Sequence, residues 1–127
     1  TILIPCYNEQ STINQVLQHM RLLKNQIDFE LIIINDGSTD GTLDIIKSGN
    51  YDIKEFITLE KNSGKGQAII EGLKIISTEY VLIQDADLEY NPSDYNFLIK
   101  PYIEADADIV YGSRFIGADE KRILFFW

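Results

Sequence analysis

The stretch that most clearly indicates the fold is Val81-Leu82-Ile83-Gln84-Asp85-Ala86-Asp87-Leu88-Glu89. Its first half is a short apolar run, which predicts a buried strand. Its second half carries carboxylates at Asp85, Asp87 and Glu89, and like charges this close repel one another unless a positive partner lies between them. A divalent cation is the simplest such partner, since Mg²⁺ and Mn²⁺ prefer carboxylate oxygens. The stretch therefore predicts a strand whose carboxyl end holds a metal ion.

On either side of this stretch, apolar strands alternate with amphipathic helices. Strands are predicted at 1–5, 29–35, 54–59, 79–84 and 107–111. Helices are predicted between them, capped by Ser11, after the 36–41 turn, from Gly64, and after Asn91-Pro92 with a kink or break near Pro101. This alternation predicts an α/β fold: a Rossmann-like, mostly parallel sheet with helices on both faces.

The helical spacing also predicts which side chains are buried. In the first helix these are Ile13, Val16, Leu17, Met20 and Leu23. In the third helix they are Ala68, Ile69, Leu73 and Ile76.

Composition limits the class of protein. The 127 residues are enough for one domain, and the net charge of −9 argues against nucleic acid or an anionic lipid surface as a general partner. Cys6 is the single cysteine, so no internal disulfide is possible. No run approaches the roughly 20 apolar residues of a membrane span, and nothing resembles a signal peptide. The apolar ending at 123–127 predicts that the domain is truncated at its C-terminus.

Polar clusters follow three of the predicted strands. They are Pro5-Cys6-Tyr7-Asn8-Glu9, Asn35-Asp36-Gly37-Ser38 and Asp85-Ala86-Asp87. In an open parallel sheet, ligands bind outside the carboxyl ends of the strands. We therefore expect the three clusters to meet at one edge and form a single ligand site.

Several of these residues have a structural interpretation as well as a functional one. Asp-Gly turns and Ser/Thr caps are ordinary between a strand and a helix, and Asp40 fits that role, whereas Asp36 at the strand tip can accept hydrogen bonds from a nucleobase. Asn62-Ser63-Gly64-Lys65-Gly66-Gln67 lacks the full phosphate-loop pattern, so Lys65 is either a nucleotide contact or a plain helix start. Cys6 is better explained as a small buried thiol than as a nucleophile.

Taken together, the motifs resemble those of the family 2 glycosyltransferases, and most of all the dolichyl- or polyprenyl-phosphate mannose synthase branch. The resemblance rests on the order and spacing of Ile4–Glu9, Asn35–Thr42, Asn62–Ala68, Asp85–Glu89 and Gly112–Phe115. It implies a GT-A nucleotide-diphospho-sugar transferase fold and places 1–127 as a donor-binding domain that is incomplete at its C-terminus.

The resemblance also implies roles for individual residues. Those predicted to bind the nucleotide-sugar are Pro5, Tyr7, Glu9, Asp36, Lys65, Asp85 and Ala86. Asp87 is predicted to be catalytic by holding the Mg²⁺ or Mn²⁺ that bridges the diphosphate, with Glu89 as a second metal ligand. Arg114 matches a position near the acceptor phosphate and is also predicted to be catalytic, because guanidinium pairs bidentately with phosphate.

The implied activity is inverting transfer from a UDP- or GDP-sugar to a polyprenyl phosphate or a glycan, in the synthesis of cell-envelope glycans. We expect a cytoplasmic protein, at the cytoplasmic face of a membrane if a missing C-terminal part anchors it. The alternative is a non-catalytic module that binds nucleotide-sugars. A receiver-type signalling domain is disfavoured, because Pro5-Cys6 and Gly112-Ser113-Arg114 stand where it needs an acid pair and a lysine.

Overall fold

Four strands alternate with four helices in residues 1–91 and 94–112, the part of the chain that the computed structural model describes. They are β1 Ile2–Cys6, α1 Ile13–Leu23, β2 Leu31–Asn35, α2 Thr42–Ser48, β3 Glu55–Thr58, α3 Lys65–Leu73, β4 Leu82–Ile83 and α4 Tyr95–Ala105. The chain divides into two compact units, 1–92 and 93–127. The first unit contains the sheet with α1 to α3, and the second contains α4.

All strand pairs in the sheet are parallel, and the strand order is β3-β2-β1-β4. Leu3 of β1 lies opposite Ile32 of β2 and Ile83 of β4. Every residue of β1 and β2 is buried. Strands that are covered on both faces read as continuous apolar runs, which is why these two could be predicted from the sequence. The predicted parallel α/β class is confirmed.

Helix α3 covers one face of the sheet. Leu3, Ile32, Ile34 and Ala68 form a buried cluster there. Gly72 sets the close approach, because a Cβ at this position would lie 2.8 Å from the Ile34 Cδ1 atom. Leu73 was predicted to be buried but is 44% exposed, since the chain turns the backbone of Gly72 toward the sheet instead.

Helix α1 packs on the opposite face. Its predicted inner side is confirmed, because Ile13, Val16, Leu17, Met20 and Leu23 are all buried. Leu17 and Met20 line a small cavity of about 30 Å³ together with Leu31 of β2. Both faces of the central strands β1 and β2 are therefore covered.

Three predicted elements differ from the structure. Segment 107–111 is not a strand, because within the described residues it pairs with no neighbour and Ile109 and Tyr111 are 66% and 87% exposed. Strand β4 is only two residues long, since only Ile2 and Leu3 of β1 pair with it. Helix α4 continues past Pro101 to Ala105 rather than breaking there.

The helix starts also differ from prediction. Thr12, not Ser11, is the N-cap residue of α1, because the carbonyl of Glu9 accepts the N–H groups of Thr12 and Ile13 and begins the turn there. Helix α4 has Asp94 at its N-cap, so Asn91 is not the cap.

Candidate functional site

The site lies at the carboxyl edge of the sheet, where β1, β2, β3 and β4 all end on the same side because they are parallel. The segments that follow these strands are 7–12, 36–41, 59–64 and 84–91. Hydrogen bonds join the first three segments, and an ion pair joins the fourth to Lys65, the residue that follows the third. The structure thus brings together the three polar clusters that the sequence placed at strand ends, and it adds the segment after β3.

The segments after β1 and β2 are tied through Asn8. Its N–H donates to the Ser38 hydroxyl at 3.0 Å, and its Oδ1 accepts the Thr39 N–H at 2.8 Å. Asn8 has a φ of 55°, in the left-handed region that asparagine tolerates better than most residues. This backbone geometry lets one side chain and its own N–H reach two neighbouring residues of the other segment.

Glu9 and Asp40 take part in further hydrogen bonds between the segments after β1 and β2. The Glu9 N–H donates to the Thr42 hydroxyl at 2.8 Å, and the Glu9 carboxylate accepts the Thr12 hydroxyl at 2.6 Å. The Asp40 carboxylate accepts the N–H groups of Thr42 at 2.9 Å and Gln10 at 3.2 Å, together with the Thr42 hydroxyl. Burial alone would raise the pKa of Asp40, but these hydrogen bonds outweigh it and hold the pKa below its ordinary value. Asp40 therefore has the structural role expected of it.

Asp36 joins the segment after β2 to the segment before α3. Its side chain is buried, and its two carboxylate oxygens accept the N–H groups of Ser63 and Gly64, each at 2.8 Å. Its own N–H donates to the Cys6 carbonyl at 2.9 Å. The next residue, Gly37, has a φ of +67°, and a Cβ there would lie 2.5 Å from the Lys61 carbonyl carbon. Glycine is required at this close approach of two backbones.

Lys65, the first residue of α3, forms an ion pair with Asp85 at the end of β4. The Lys65 side chain is 56% exposed and the Asp85 side chain 20%. The positive partner that the acidic stretch demands is therefore supplied to Asp85 by the protein itself. Lys65 rather than a metal ion is therefore the cation beside Asp85. The predicted metal site now depends on Asp87 and Glu89.

Asp87 and Glu89 offer carboxylate oxygens, which suit Mg²⁺ or Mn²⁺. The Oδ1 atom of half-buried Asp87 accepts the Glu89 N–H at 3.0 Å, which fixes the carboxylate, and Glu89 is exposed. Among the described residues, no three His, Cys, Asp or Glu side chains are grouped closely enough to hold a metal on their own. The donor set fits a Mg²⁺-type ion that takes one or two protein carboxylates and completes its coordination with substrate phosphates.

The remaining predicted residues are placed as follows. Tyr7 is 42% exposed at the edge. Pro5 and Ala86 are buried and support the edge from beneath. Burial, with added repulsion from nearby carboxylates, raises the pKa of Cys6 to about 12, so it is an unreactive thiol at neutral pH. Arg114 lies outside the described residues.

Two features of this edge were not predicted: the contacts of Asn35, which the sequence placed in a polar cluster, and a groove. Asn35 is buried, its Oδ1 accepts the Ser38 N–H at 3.2 Å, and its Nδ2 has no partner among the described residues. The only signal in the sequence was a polar residue at the end of an apolar run. The second is an open, solvent-exposed groove of about 480 Å³. Its lining residues are Leu59, Glu60, Lys61, Ser63, Gln67 and Glu71, none of them predicted as a site residue.

Residues 1–124 match the family model described as "Glycosyl transferase family 2". The chain belongs to this family. Among the described residues, no helix is both long enough and apolar enough to cross a bilayer.

The chain is similar to curated proteins named poly-β-1,6-N-acetyl-D-glucosamine synthase. The protein of Staphylococcus aureus strain COL is 44% identical over 92 residues, which cover 68% of this chain and 21% of the relative. That of Staphylococcus epidermidis strain ATCC 35984 is 45% identical over 89 residues, with the same coverage of 68% and 21%. The chain thus spans about a fifth of the length of the curated relatives it matches.

Among solved structures, the chain is similar to glucosyl-3-phosphoglycerate synthase of Mycobacterium tuberculosis. The complex with Mn²⁺, UDP and phosphoglyceric acid aligns with a TM-score of 0.68 and 25% identity, over 81% of this chain and 38% of that one. The complex with Mg²⁺ and UDP gives the same values. The complex with UDP aligns with a TM-score of 0.69 and 26% identity, over 83% and 40%. These likenesses confirm the predicted GT-A fold. The predicted family is also confirmed, while the polyprenyl-phosphate mannose synthase branch stays a prediction.

Proposed function

We propose that residues 1–127 form the donor-binding domain of an inverting, metal-dependent glycosyltransferase that uses a UDP-sugar. Two contacts at this edge of a family 2 chain carry the proposal. The Asp36 carboxylate accepts the N–H groups of Ser63 and Gly64, and the next residue, Lys65, forms an ion pair with Asp85. A nucleoside diphosphate needs a cation near its phosphates and polar or aromatic groups near its base and ribose. This edge offers both kinds of group.

The nucleoside end is assigned to the segment after β1. Tyr7 offers an exposed aromatic face for stacking, and Glu9 offers a carboxylate that Thr12 holds in place. Pro5 and Ala86 shape the floor from their buried positions. Asp36 lies at the same end of the sheet, held by Ser63 and Gly64.

The diphosphate end is assigned to Lys65, Asp85 and Asp87. Asp87, with Glu89 as a second ligand, would hold Mg²⁺ or Mn²⁺, which supplies Lewis-acid stabilisation of the leaving diphosphate when bound. Lys65 adds a positive charge at the same place, and it leaves its pairing with Asp85 to do so. UDP is favoured over GDP because the similar glucosyl-3-phosphoglycerate synthase was solved with UDP and with Mn²⁺ or Mg²⁺.

The acceptor is proposed to be a growing glycan. The 44% identity to a protein named poly-β-1,6-N-acetyl-D-glucosamine synthase supports a sugar hydroxyl as acceptor. A hydroxyl acceptor needs a general base. A polyprenyl phosphate is the alternative, predicted from the motif around Arg114; it is already ionised and needs no base. A cytoplasmic site of action, with membrane attachment outside this chain, belongs to the same proposal.

Thermal-shift measurements with UDP, GDP and their sugars, with and without Mn²⁺, test donor binding. We expect UDP and Mn²⁺ together to raise Tm more than either does alone, and GDP to have a smaller effect. Asp87→Asn should abolish the extra shift due to Mn²⁺, because the amide is a far weaker metal ligand. Asp44→Asn, an exposed acid on α2, is the matched control and should keep the full shift.

If no nucleotide stabilises the protein even with metal, donor binding is refuted. If Asp87→Asn keeps the Mn²⁺ effect, the metal assignment is wrong. Transfer from a labelled UDP-sugar by the full-length protein then separates the acceptors, with an oligosaccharide and a polyprenyl phosphate as competing substrates. Nucleotide binding without transfer to either would favour the alternative, a non-catalytic nucleotide-sugar-binding module.

A further inference from the structure

We infer that Asp36 is a positioning residue: its carboxylate holds the backbone of Ser63 and Gly64 and thereby sets Lys65 beside Asp85. The inference rests on the proposed function, since it concerns how the donor-binding edge is assembled. It gives Asp36 a different duty from the nucleobase contact that the sequence suggested. Asp36 acts on the diphosphate end through the chain rather than on the base directly.

The carboxylate of Asp36 is fully used in hydrogen bonds to the backbone. The residue is 3% exposed, and its Oδ1 and Oδ2 atoms each accept one backbone N–H at 2.8 Å, from Ser63 and Gly64 respectively. Hydrogen bonds to an ionised acceptor are roughly twice as strong as neutral ones. Both oxygens are therefore used by the protein in a buried position, and both point at the segment that leads into α3.

The backbone contact beside Asp36 carries the second step. A Cβ on Gly37 would lie 2.5 Å from the Lys61 carbonyl carbon and 2.7 Å from the Asn62 nitrogen. The Asp36 N–H is also bonded to the Cys6 carbonyl of β1. The segment is thus clamped between the Asp36 carboxylate and the Gly37 backbone, and this clamp is anchored in the central strand of the sheet.

The position of Lys65 carries the third step. It directly follows Gly64, and its side chain is 56% exposed, so little protein surface surrounds and orients it. A long, flexible, exposed lysine is aimed mainly by its backbone. Since Ser63 and Gly64 are the residues that Asp36 holds, Asp36 controls where Lys65 starts and how readily its amine reaches Asp85 and a bound diphosphate.

Amide hydrogen exchange in the ligand-free protein tests the structural part. Asp36→Asn keeps the size of the side chain but leaves one acceptor oxygen and turns an N–H group toward a backbone N–H. We expect the amides of Ser63 and Gly64 to exchange about tenfold faster or more. Asp40→Asn is the matched control, because Asp40 also accepts two backbone N–H groups at this edge. It should affect the amides of Gln10 and Thr42 only. Unchanged exchange at Ser63 and Gly64 in Asp36→Asn would overturn the inference.

A double-mutant cycle with Lys65→Met tests the functional part. Asp36→Asn should weaken UDP and GDP binding by the same factor, and should weaken neither further in the Lys65→Met background. Selective loss of one nucleotide, or additive losses, would mean that Asp36 reads the base. If Asp36→Asn does not fold, Ser63→Pro removes one of the two N–H donors while leaving Asp36 in place. It should lower the affinity for UDP and GDP when Lys65 is present and have no further effect in the Lys65→Met background. Should wild-type protein bind no nucleotide, the proposed function fails, but amide exchange still decides the role of Asp36.

Discussion

Two junctions at the carboxyl edge are built in different ways. The scaffold junction joins residues 8–10 to residues 38–42 through hydrogen bonds between backbone N–H groups and side chains. The charged junction joins Asp36-Gly37 and Asp85 to residues 61–65, through the buried Asp36 carboxylate and the exposed Lys65. The first ties two loops with short, directional bonds. The second ends in a lysine that can exchange one anionic partner for another.

The two junctions differ in how their side chains are used. In the scaffold junction, Ser38, Thr39 and Asp40 are used to hold the loops together. In the charged junction, the backbone is held by Asp36, and the Lys65 side chain, which is 56% exposed, pairs with Asp85. A diphosphate arriving at this edge would compete with Asp85 for Lys65, because an ion pair of an exposed lysine contributes little to stability, about 1 kcal/mol or less.

The largest effect is expected at Gly37, where the charged junction is most crowded. Gly37→Ala should destabilise the protein by about 3 kcal/mol, because the new methyl group meets the Lys61 backbone and the left-handed φ adds strain. Urea unfolding measures the change. Gly66→Ala is the control, since a Cβ at this position in α3 has no neighbour within 4 Å. It should stabilise the protein by about 0.5–1 kcal/mol. Equal effects at the two glycines would refute the close approach.

A smaller effect, on binding rather than stability, is expected at Lys65. Lys65→Met should lower the affinity for UDP by about tenfold, because a charge-assisted contact to the diphosphate is lost. The free energy of unfolding should change by about 1 kcal/mol or less, since the lysine is mostly exposed. Isothermal titration calorimetry measures the first and urea unfolding the second. Lys74→Met, at an exposed pair with Glu71, is the control and should bind UDP normally. Loss of stability without loss of affinity would make Lys65 purely structural.

The smallest effect is expected at Asp40 in the scaffold junction, and it depends on pH. The pKa of Asp40 is lower in the folded protein than in the unfolded chain, so its ionised form stabilises the fold. This contribution is fully present above the unfolded pKa of about 3.9 and is lost as pH falls through the lower, folded pKa. The difference in Tm between wild type and Asp40→Asn should therefore be constant from pH 5 to 7 and shrink below about pH 4. A difference in Tm that grows in acid would contradict the lowered pKa of Asp40 in the folded protein.

Sequence reasoning succeeded where a local pattern carries the information. The inner side of α1 follows from its helical spacing, and β1 and β2 follow from apolar runs that are covered on both faces. It failed at 107–111, where an apolar run predicted a strand but backbone pairing, which no local pattern encodes, is absent in the described part of the chain. It also failed at Leu73, because the close approach of Gly72 to the sheet rotates that side chain outward.

By itself, the sequence determined that the chain forms a parallel α/β sheet of the family 2 type and that its polar clusters share one edge. Strand periodicity is local, and parallel strands always end on the same side. Only the tertiary structure decided which partner each carboxylate takes. Asp36 meets Ser63 across 27 positions of sequence, and Asp85 meets Lys65 at the start of a helix. These pairings depend on loop paths that Gly37 and Gly64 open with positive φ angles, and no spacing of residue types encodes such a path.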